Sequence, residues 1–230
     1  ALAELQEFEK AIICFKKAAE INPKNADTHN NLGNLLKEIG QIQEAENCYK
    51  KAIEINPNYV NAYNNLGAIF QKRNNFQEAI KFYEKTIQLE PNFANAYNNL
   101  GIIFYELEEY QKAINHYEKA IKIKPNYSET YSNLGKLFKD LGNFEKTISC
   151  FEKAIKYKPD DLISLYYLGE LKNEILNTDL QTSIIKIINN KNCTKINLAY
   201  GNFLLSIYEK QKQNYENEFN FLLKGHLYYL

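Results

Sequence analysis

Prolines that recur at a fixed interval constrain this chain more than any other feature. Pro23, Pro57, Pro91, Pro125 and Pro159 stand 34 residues apart. Two other sets of residues keep the same interval. They are the pairs Leu32-Gly33, Leu66-Gly67, Leu100-Gly101, Leu134-Gly135 and Leu168-Gly169, and the aromatic residues Phe15, Tyr49, Tyr83, Tyr117 and Phe151. A fixed period of this length indicates that one supersecondary unit has been copied and stacked along the chain.

Each period contains two apolar runs with helical spacing. With residue 26 as position one, the full units are 26–59, 60–93, 94–127 and 128–161. A short break separates the two runs, at Gly40, Asn74, Glu108 and Gly142. Glycine there suits a helix C-terminus with positive φ. Each proline is predicted to end the second helix because it lacks an N–H. The asparagine that follows it is predicted to cap the next helix, at Asn58, Asn92 and Asn126.

Small residues at fixed positions predict how the helices pack. Glycine at position eight and alanine at position twenty allow the two helices of a unit to approach closely, and the aromatic residue at position twenty-four fills the space between them. A single hairpin cannot bury its apolar face, whereas a stack of hairpins forms a continuous core. The chain is therefore predicted to be all-α, a right-handed α-solenoid of stacked antiparallel helix pairs.

This pattern resembles the tetratricopeptide repeat (TPR) family over residues 1–172. The small, large and proline positions agree in all four full units. The family usually has tryptophan at position four, and this chain has His29, Tyr63, Tyr97 and Tyr131 there. On this resemblance, residues 1–25 are a partial first repeat, mostly its second helix, and residues 162–230 are degenerate TPR-like helices with a C-terminal cap.

The period weakens beyond Pro159. Leu162, Leu165 and Leu168 still indicate a first helix, residues 181–190 a short apolar helix and residues 194–210 a longer one. A second-helix pattern returns over residues 214–226, with Glu218 where alanine is expected. This tail is also similar to the segment that joins TPR repeats to a sulfotransferase domain in bacterial proteins. The residues that carry this similarity are Asn214-Tyr215-Glu216, Phe219 and Leu223-Lys224-Gly225-His226.

The composition argues against several classes of partner. The 28 basic and 28 acidic residues give a net charge of zero. Neither the clustered basic face of a nucleic-acid-binding protein nor a polybasic membrane patch is expected. No run approaches 18 apolar residues, so no membrane insertion is expected. Ala1 falls at position ten of a unit and methionine is absent, which indicates a fragment or a trimmed chain.

The cysteines and histidines do not form a catalytic or metal-binding pattern. Cys14, Cys48 and Cys150 share position twenty-three of three different units, where stacked helices lie about 8–10 Å apart. A disulfide needs Cα atoms within about 7 Å, so these residues are predicted to be reduced thiols at packing positions. The three histidines fall in unrelated settings. No phosphate loop or nucleophile motif is present. The chain is predicted to be neither an enzyme nor a cofactor-binding protein.

The TPR resemblance places positions two, five, six, nine, twelve and thirteen of each first helix on the concave face. Position six is Asn31, Asn65, Asn99 and Asn133, each followed by Leu-Gly. Position five is Asn30, Asn64, Asn98 and Ser132, and position two is Asp27, Asn61, Asn95 and Glu129. Less uniform positions are expected to set specificity. They are Asn34, Ala68, Ile102 and Lys136 at position nine, and Lys37, Gln71, Tyr105 and Lys139 at position twelve.

The asparagine row has two interpretations. An amide carries both donors and an acceptor, so a row of amides can bracket successive peptide groups of an extended chain. The row resembles the asparagine ladder of the O-GlcNAc transferase repeat arm. Because repeats descend from one ancestor, duplication alone also yields such a row. The family's clamp for a terminal carboxylate needs Lys or Arg at positions two, five or six, and these are not found there.

Two functional hypotheses follow from the resemblance. The first is a non-catalytic scaffold, expected in the cytoplasm, that binds a protein or an extended peptide in its groove. The alternative is a substrate-recruiting arm of a larger glycosyltransferase or sulfotransferase. Self-association through the exposed N-terminal repeat end is also predicted, because the partial first unit leaves an apolar end uncovered.

Overall fold

The computed structural model describes residues 2–172 and 177–229 as two compact units, residues 1–123 and 124–230. The first unit contains seven helices among its described residues. They are α1 (Leu2–Ile21), α2 (Ala26–Glu38), α3 (Ile42–Ile55), α4 (Val60–Lys72), α5 (Phe76–Leu89), α6 (Ala94–Glu106) and α7 (Tyr110–Ile123). Helices α2 and α3, α4 and α5, and α6 and α7 pack as hairpins. Each hairpin stacks on the helix before it.

The second unit contains six helices among its described residues. They are α8 (Ser128–Asp140), α9 (Phe144–Tyr157), α10 (Leu162–Leu171), α11 (Thr178–Ile188), α12 (Lys195–Gln211) and α13 (Tyr215–Tyr229). Helices α8 and α9 form one hairpin, and α12 and α13 form another. Helix α10 packs on α9 and on α12, and α11 also packs on α12. All described regular structure is helical, as predicted, and the fold is an α-solenoid of stacked helix pairs.

Close glycine contacts explain why the two helices of each hairpin pack so tightly. A β-carbon added at Gly33, Gly67 or Gly101 would lie 2.6, 2.7 or 2.5 Å from a ring carbon of the position-twenty-four tyrosine. At Gly135 the ring is that of Phe151, at 2.9 Å. Distances below 3.0 Å admit no side chain without movement of the ring. The predicted packing of glycine against the aromatic residue is therefore confirmed.

The helix ends follow the predicted break positions. Gly40 and Gly142 have φ of +82° and +72°, which confirms the predicted C-terminal glycines. Asn74 and Glu108 adopt the same left-handed conformation, at φ 57° and 59°. Each proline ends the preceding helix one residue early, because the residue before a proline favours extended backbone. Asn56, for example, has φ −131° and ψ 97°.

The predicted helix caps at the Pro-Asn turns are wrong. The N-cap residues of α4, α6 and α8 are Tyr59, Phe93 and Tyr127, none of which makes a side-chain cap. Asparagine caps other helices instead. Asn25 caps α2, and Asn75 and Asn143 at position sixteen cap the second helices α5 and α9. Asn58 lies one residue before the cap position, and its backbone N–H donates to Asn56 Oδ1 at 3.0 Å within the turn.

Candidate functional site

The position-six amides lie at the surface of the first helices. Asn31 is exposed, Asn65 and Asn99 are half-buried on α4 and α6, and Asn133 is half-buried on α8 in the second unit. Each immediately precedes the buried Leu-Gly pair. Since Leu and Gly face the hairpin partner, the asparagine before them is turned to the edge of the packed face. The buried Leu-Gly pair therefore also determines the direction of the amide that precedes it.

Hydrogen bonds join the amides of α2 and α4 into one network. The Asn65 amide donates to Asn30 Oδ1 at 3.2 Å and to Asn34 Oδ1 at 3.0 Å. Tyr49 Oη donates to Asn34 Oδ1 at 2.9 Å, and Asn30 donates to Asn31 at 3.4 Å. An asparagine side chain has two N–H donors. Both donors of Asn65 are therefore used within the protein, and the side chain is held in one orientation.

Where the residue that fills the hairpin is tyrosine, its hydroxyl also reaches the polar row, as Tyr49 does at Asn34. Tyr83 Oη donates to Gln71 Oε1 at 2.8 Å. Burial raises the pKa of Tyr83, while its hydrogen bond with the Asn99 side chain opposes that rise. Position twenty-four thus serves both the core and the surface row. Sequence reasoning treated it as packing alone and missed this second role, although a tyrosine hydroxyl in a buried position usually needs a partner.

Position five lies deeper than position six. Asn30 and Asn98 are 4% and 0% exposed, Ser132 is 6% exposed, and Asn64 is half-buried. These residues face the neighbouring hairpin in the stack. They therefore hold the position-six residues in place and are themselves little exposed to solvent. Ser132 illustrates this role in the second unit, where it accepts a hydrogen bond from Ser164 of α10 at 3.0 Å. The sequence pattern cannot distinguish the two positions, because both carry asparagine.

The position-two residues are exposed. Asp27, Asn61 and Asn95 lie in the first turns of α2, α4 and α6. Asp27 accepts a hydrogen bond from Tyr59 Oη at 2.7 Å. Burial of the Tyr59 ring, with this hydrogen bond and the aspartate charge, raises the Tyr59 pKa to about 12. The tyrosine therefore stays a neutral donor, and Asp27 keeps a fixed orientation beside the row.

The less uniform positions differ in chemistry, as a specificity surface requires. Tyr105 on α6 is half-buried, with its ring 6.1 Å from that of Tyr110. Lys136 on α8 is also half-buried. Burial lowers its pKa, and the charges of Asp161 and Glu129 oppose that change. Lys136 lies one helical turn after Asn133, whereas Tyr105 lies six residues after Asn99 and nearer to Ile102.

Aromatic side chains occupy the corresponding positions of α10. Tyr166 and Tyr167 stand at positions five and six, and both are half-buried. Their rings contact Tyr200 and Phe203 of α12, with centroid separations of 5.5 Å for Tyr166–Tyr200 and 5.8 Å for Tyr166–Phe203. The Lys139 ammonium lies 4.3 Å from the Tyr167 ring centroid. These groups line a cleft of about 320 Å³ in the second unit. Sequence reasoning missed this cluster.

The described residues contain no group of three potential metal ligands. Cys14, Cys48 and Cys150 are free thiols, as predicted, but Cys14 is exposed and not at a packing position. Cys150 is buried, and burial raises its pKa to about 11. His116, at the same repeat position in α7, stacks on Phe104 with centroids 5.2 Å apart. Burial, and then the charges of Lys119 and Lys112, lower its pKa to about 4. These groups pack the hairpins.

Comparison with known proteins agrees with the repeat geometry. A tetratricopeptide repeat model matches residues 61–126 and 93–160, and a second TPR repeat model matches residues 1–40 and 33–73. Together they cover more than half of the chain. The chain therefore belongs to the tetratricopeptide repeat family. Comparison with curated proteins gives no match.

Solved structures show the same fold. MamA has 29% sequence identity and a TM-score of 0.59, covering 68% of this chain and 92% of MamA. YrrB, described as a TPR protein with an unusual peptide-binding site, has 19% identity and a TM-score of 0.57. That match covers 90% of this chain and 96% of YrrB. The TPR fold is that of a protein-interaction scaffold. No helix among the described residues is both long and apolar enough to span a membrane.

Proposed function

We propose that the first helices of the first unit bind an extended peptide through an asparagine row. Its members are Asn31 on α2, Asn65 on α4 and Asn99 on α6. The observation that carries the proposal is the fixed orientation of the Asn65 amide, which donates to Asn30 and Asn34. A side chain held in this way loses little conformational entropy on binding. In this proposal the side-chain oxygen of Asn65 accepts a hydrogen bond from a peptide N–H.

The flanking positions support this proposal. Asp27, Asn61 and Asn95 at position two are exposed polar groups next to the row. The amide row reads the peptide backbone, which is common to all sequences, so selectivity has to come from other side chains. Tyr105 is the aromatic residue at position twelve of the first unit and serves as such a contact. Asn133 extends the same proposal to α8 of the second unit.

The proposal is tested with peptides selected from a display library against the parent chain. We expect the triple variant Asn31→Ala, Asn65→Ala and Asn99→Ala to raise the peptide Kd by about a hundredfold. Each lost hydrogen bond is worth about 1 kcal/mol, and 1.4 kcal/mol is tenfold in affinity. Fluorescence anisotropy measures the Kd, and circular dichroism reports whether the helices remain.

A matched control removes the same number of amides elsewhere. Asn47, Asn58 and Asn92 are exposed and lie outside the row. Their triple alanine variant should bind the peptide as the parent does. An unchanged Kd in the row variant, with helical signal intact, would show that the row is an inherited surface and not a binding site.

A further inference from the structure

Helix α13 turns an apolar stripe outward. Tyr215, Phe219, Leu223 and Leu227 are 66%, 65%, 59% and 73% exposed. Their four-residue spacing places them along one side of the helix. The other side holds α13 on α12, where a β-carbon at Gly225 would meet the Phe203 ring at 2.3 Å. Contiguous apolar side chains of this kind mark an interaction surface.

The same repeat positions are covered in the first unit. Counting from the capping position, Tyr215 and Phe219 correspond to Phe76 and Ile80 of α5. Phe76 and Ile80 are half-buried and pack against a core cluster that includes Leu100 of α6. Leu223 and Leu227 correspond to Glu84 and Gln88, which are polar and exposed on α5. The first half of the stripe is therefore a stacking position that the described residues leave uncovered, and the second half is apolar where the first unit is polar.

We propose that this stripe is a dimer interface on which α13 of a second copy packs in antiparallel orientation. The charges beside the stripe favour this partner. Glu216 and Lys224 are exposed and lie four residues to either side of Asn220. Antiparallel pairing centred on the stripe, at residue 221, leaves Glu216 of each copy only two residues, about 3 Å along the helix axis, from Lys224 of the other. Because the contact is two-fold symmetric, it covers both stripes and forms the charge pair twice.

The size of the contact sets its strength. A helix of 15 residues is about 22 Å long at 1.5 Å per residue. One pair of such helices buries less than the roughly 1,200–2,000 Å² of a stable interface. The dimer is therefore a weak one that forms at high protein concentration and dissociates on dilution.

Sedimentation equilibrium over a wide concentration range tests the proposal. The parent chain should change from a mass of 26.9 kDa toward twice that value as concentration rises. Phe219→Glu should remain at 26.9 kDa throughout, because it places a charge in the centre of the stripe. As a matched control, Phe144→Glu on α9 changes an equally accessible aromatic residue, 57% exposed, and should dimerise as the parent does.

Charge reversal tests the antiparallel orientation. Glu216→Lys should raise the dimer dissociation constant on the order of fivefold, and adding Lys224→Glu should restore it. A parent chain that is monomeric at every concentration would overturn the proposal. So would dimerisation that survives Phe219→Glu and is lost on Ile13→Glu. That result would place self-association at the N-terminal end on α1, where Ile13 is 54% exposed, as the sequence predicted.

Discussion

The two units share their packing residues and differ in the side chains at the groove positions. In the first unit, α2, α4 and α6 present Asn31, Asn65 and Asn99 at position six. In the second unit, α10 keeps the buried Leu162, Leu165 and Leu168 but carries tyrosines at positions five and six. Packing positions are thus retained where groove positions change. The residues that specify a repeat and the residues proposed to contact a ligand are therefore separable.

The energetic consequences of the two surfaces also differ. In the first unit, the amides of α2 and α4 bond to one another through Asn30, Asn34 and Asn65. In the second unit, Tyr167 stacks on Phe151 with centroids 5.4 Å apart, so its ring joins the core of the preceding hairpin. Aromatic pairs contribute about 0.5–1.5 kcal/mol beyond area burial. Helix α10 uses these positions for the stability of the second unit, whereas α8 retains Asn133 at position six.

The largest loss of stability should come from replacing the glycine at position eight, which both units share. Gly101→Leu in the first unit and Gly135→Leu in the second should each lower the free energy of unfolding by about 3 kcal/mol, because the added side chain has no space. The added β-carbon would lie 2.5 Å from Tyr117 and 2.9 Å from Phe151, so Gly101→Leu should cost more. Urea unfolding followed by circular dichroism measures both. Equal stability of variant and parent would mean that the helices do not meet there.

The stability of the first unit should depend on acid through His116. His116 in the first unit has a folded pKa of about 4, against 6.5 for a free histidine. The unfolded state therefore binds the proton more tightly, and stability falls as pH falls from 6.5 toward 4. The full shift corresponds to about 3.4 kcal/mol, and solvent screening of this half-buried ring reduces its effect on stability to roughly 2 kcal/mol. Phe82 fills the same position in α5 and stacks on Phe70 with centroids 5.3 Å apart.

His116→Phe should remove this acid-dependent loss while keeping the ring contact. The measurement is the urea midpoint at several pH values between 4 and 7. If His116→Phe loses stability with acid as steeply as the parent, the histidine is not the group that titrates. Cys150, at the equivalent position in α9, remains a neutral thiol throughout this range because its pKa is raised.

The 34-residue spacing predicted helices α2–α9 well. Proline and glycine set the backbone conformation locally, and glycine and alanine allow neighbouring helices to approach closely. The spacing placed Asn30 and Asn31 together on the groove, whereas the stacked neighbouring hairpin covers Asn30. It also assigned caps to Asn58, Asn92 and Asn126, although the extended residue before each helix takes that place. The ring cluster around Tyr166 could not be predicted, since it depends on how α12 packs against α10 outside the repeat period.

The smallest effect concerns the turns inside the hairpins of the first unit. Glu108 adopts φ 59°, a conformation that costs a residue with a β-carbon about 1–2 kcal/mol, whereas Gly40 takes it freely. Glu108→Gly should therefore stabilise the chain by about 0.5–1 kcal/mol after the greater flexibility of glycine in the unfolded state is counted. Asn74→Gly should gain less, because asparagine tolerates this region through local hydrogen bonds. Thermal unfolding compares the two variants. A larger gain at Asn74 than at Glu108 would show that backbone strain is not what limits these turns.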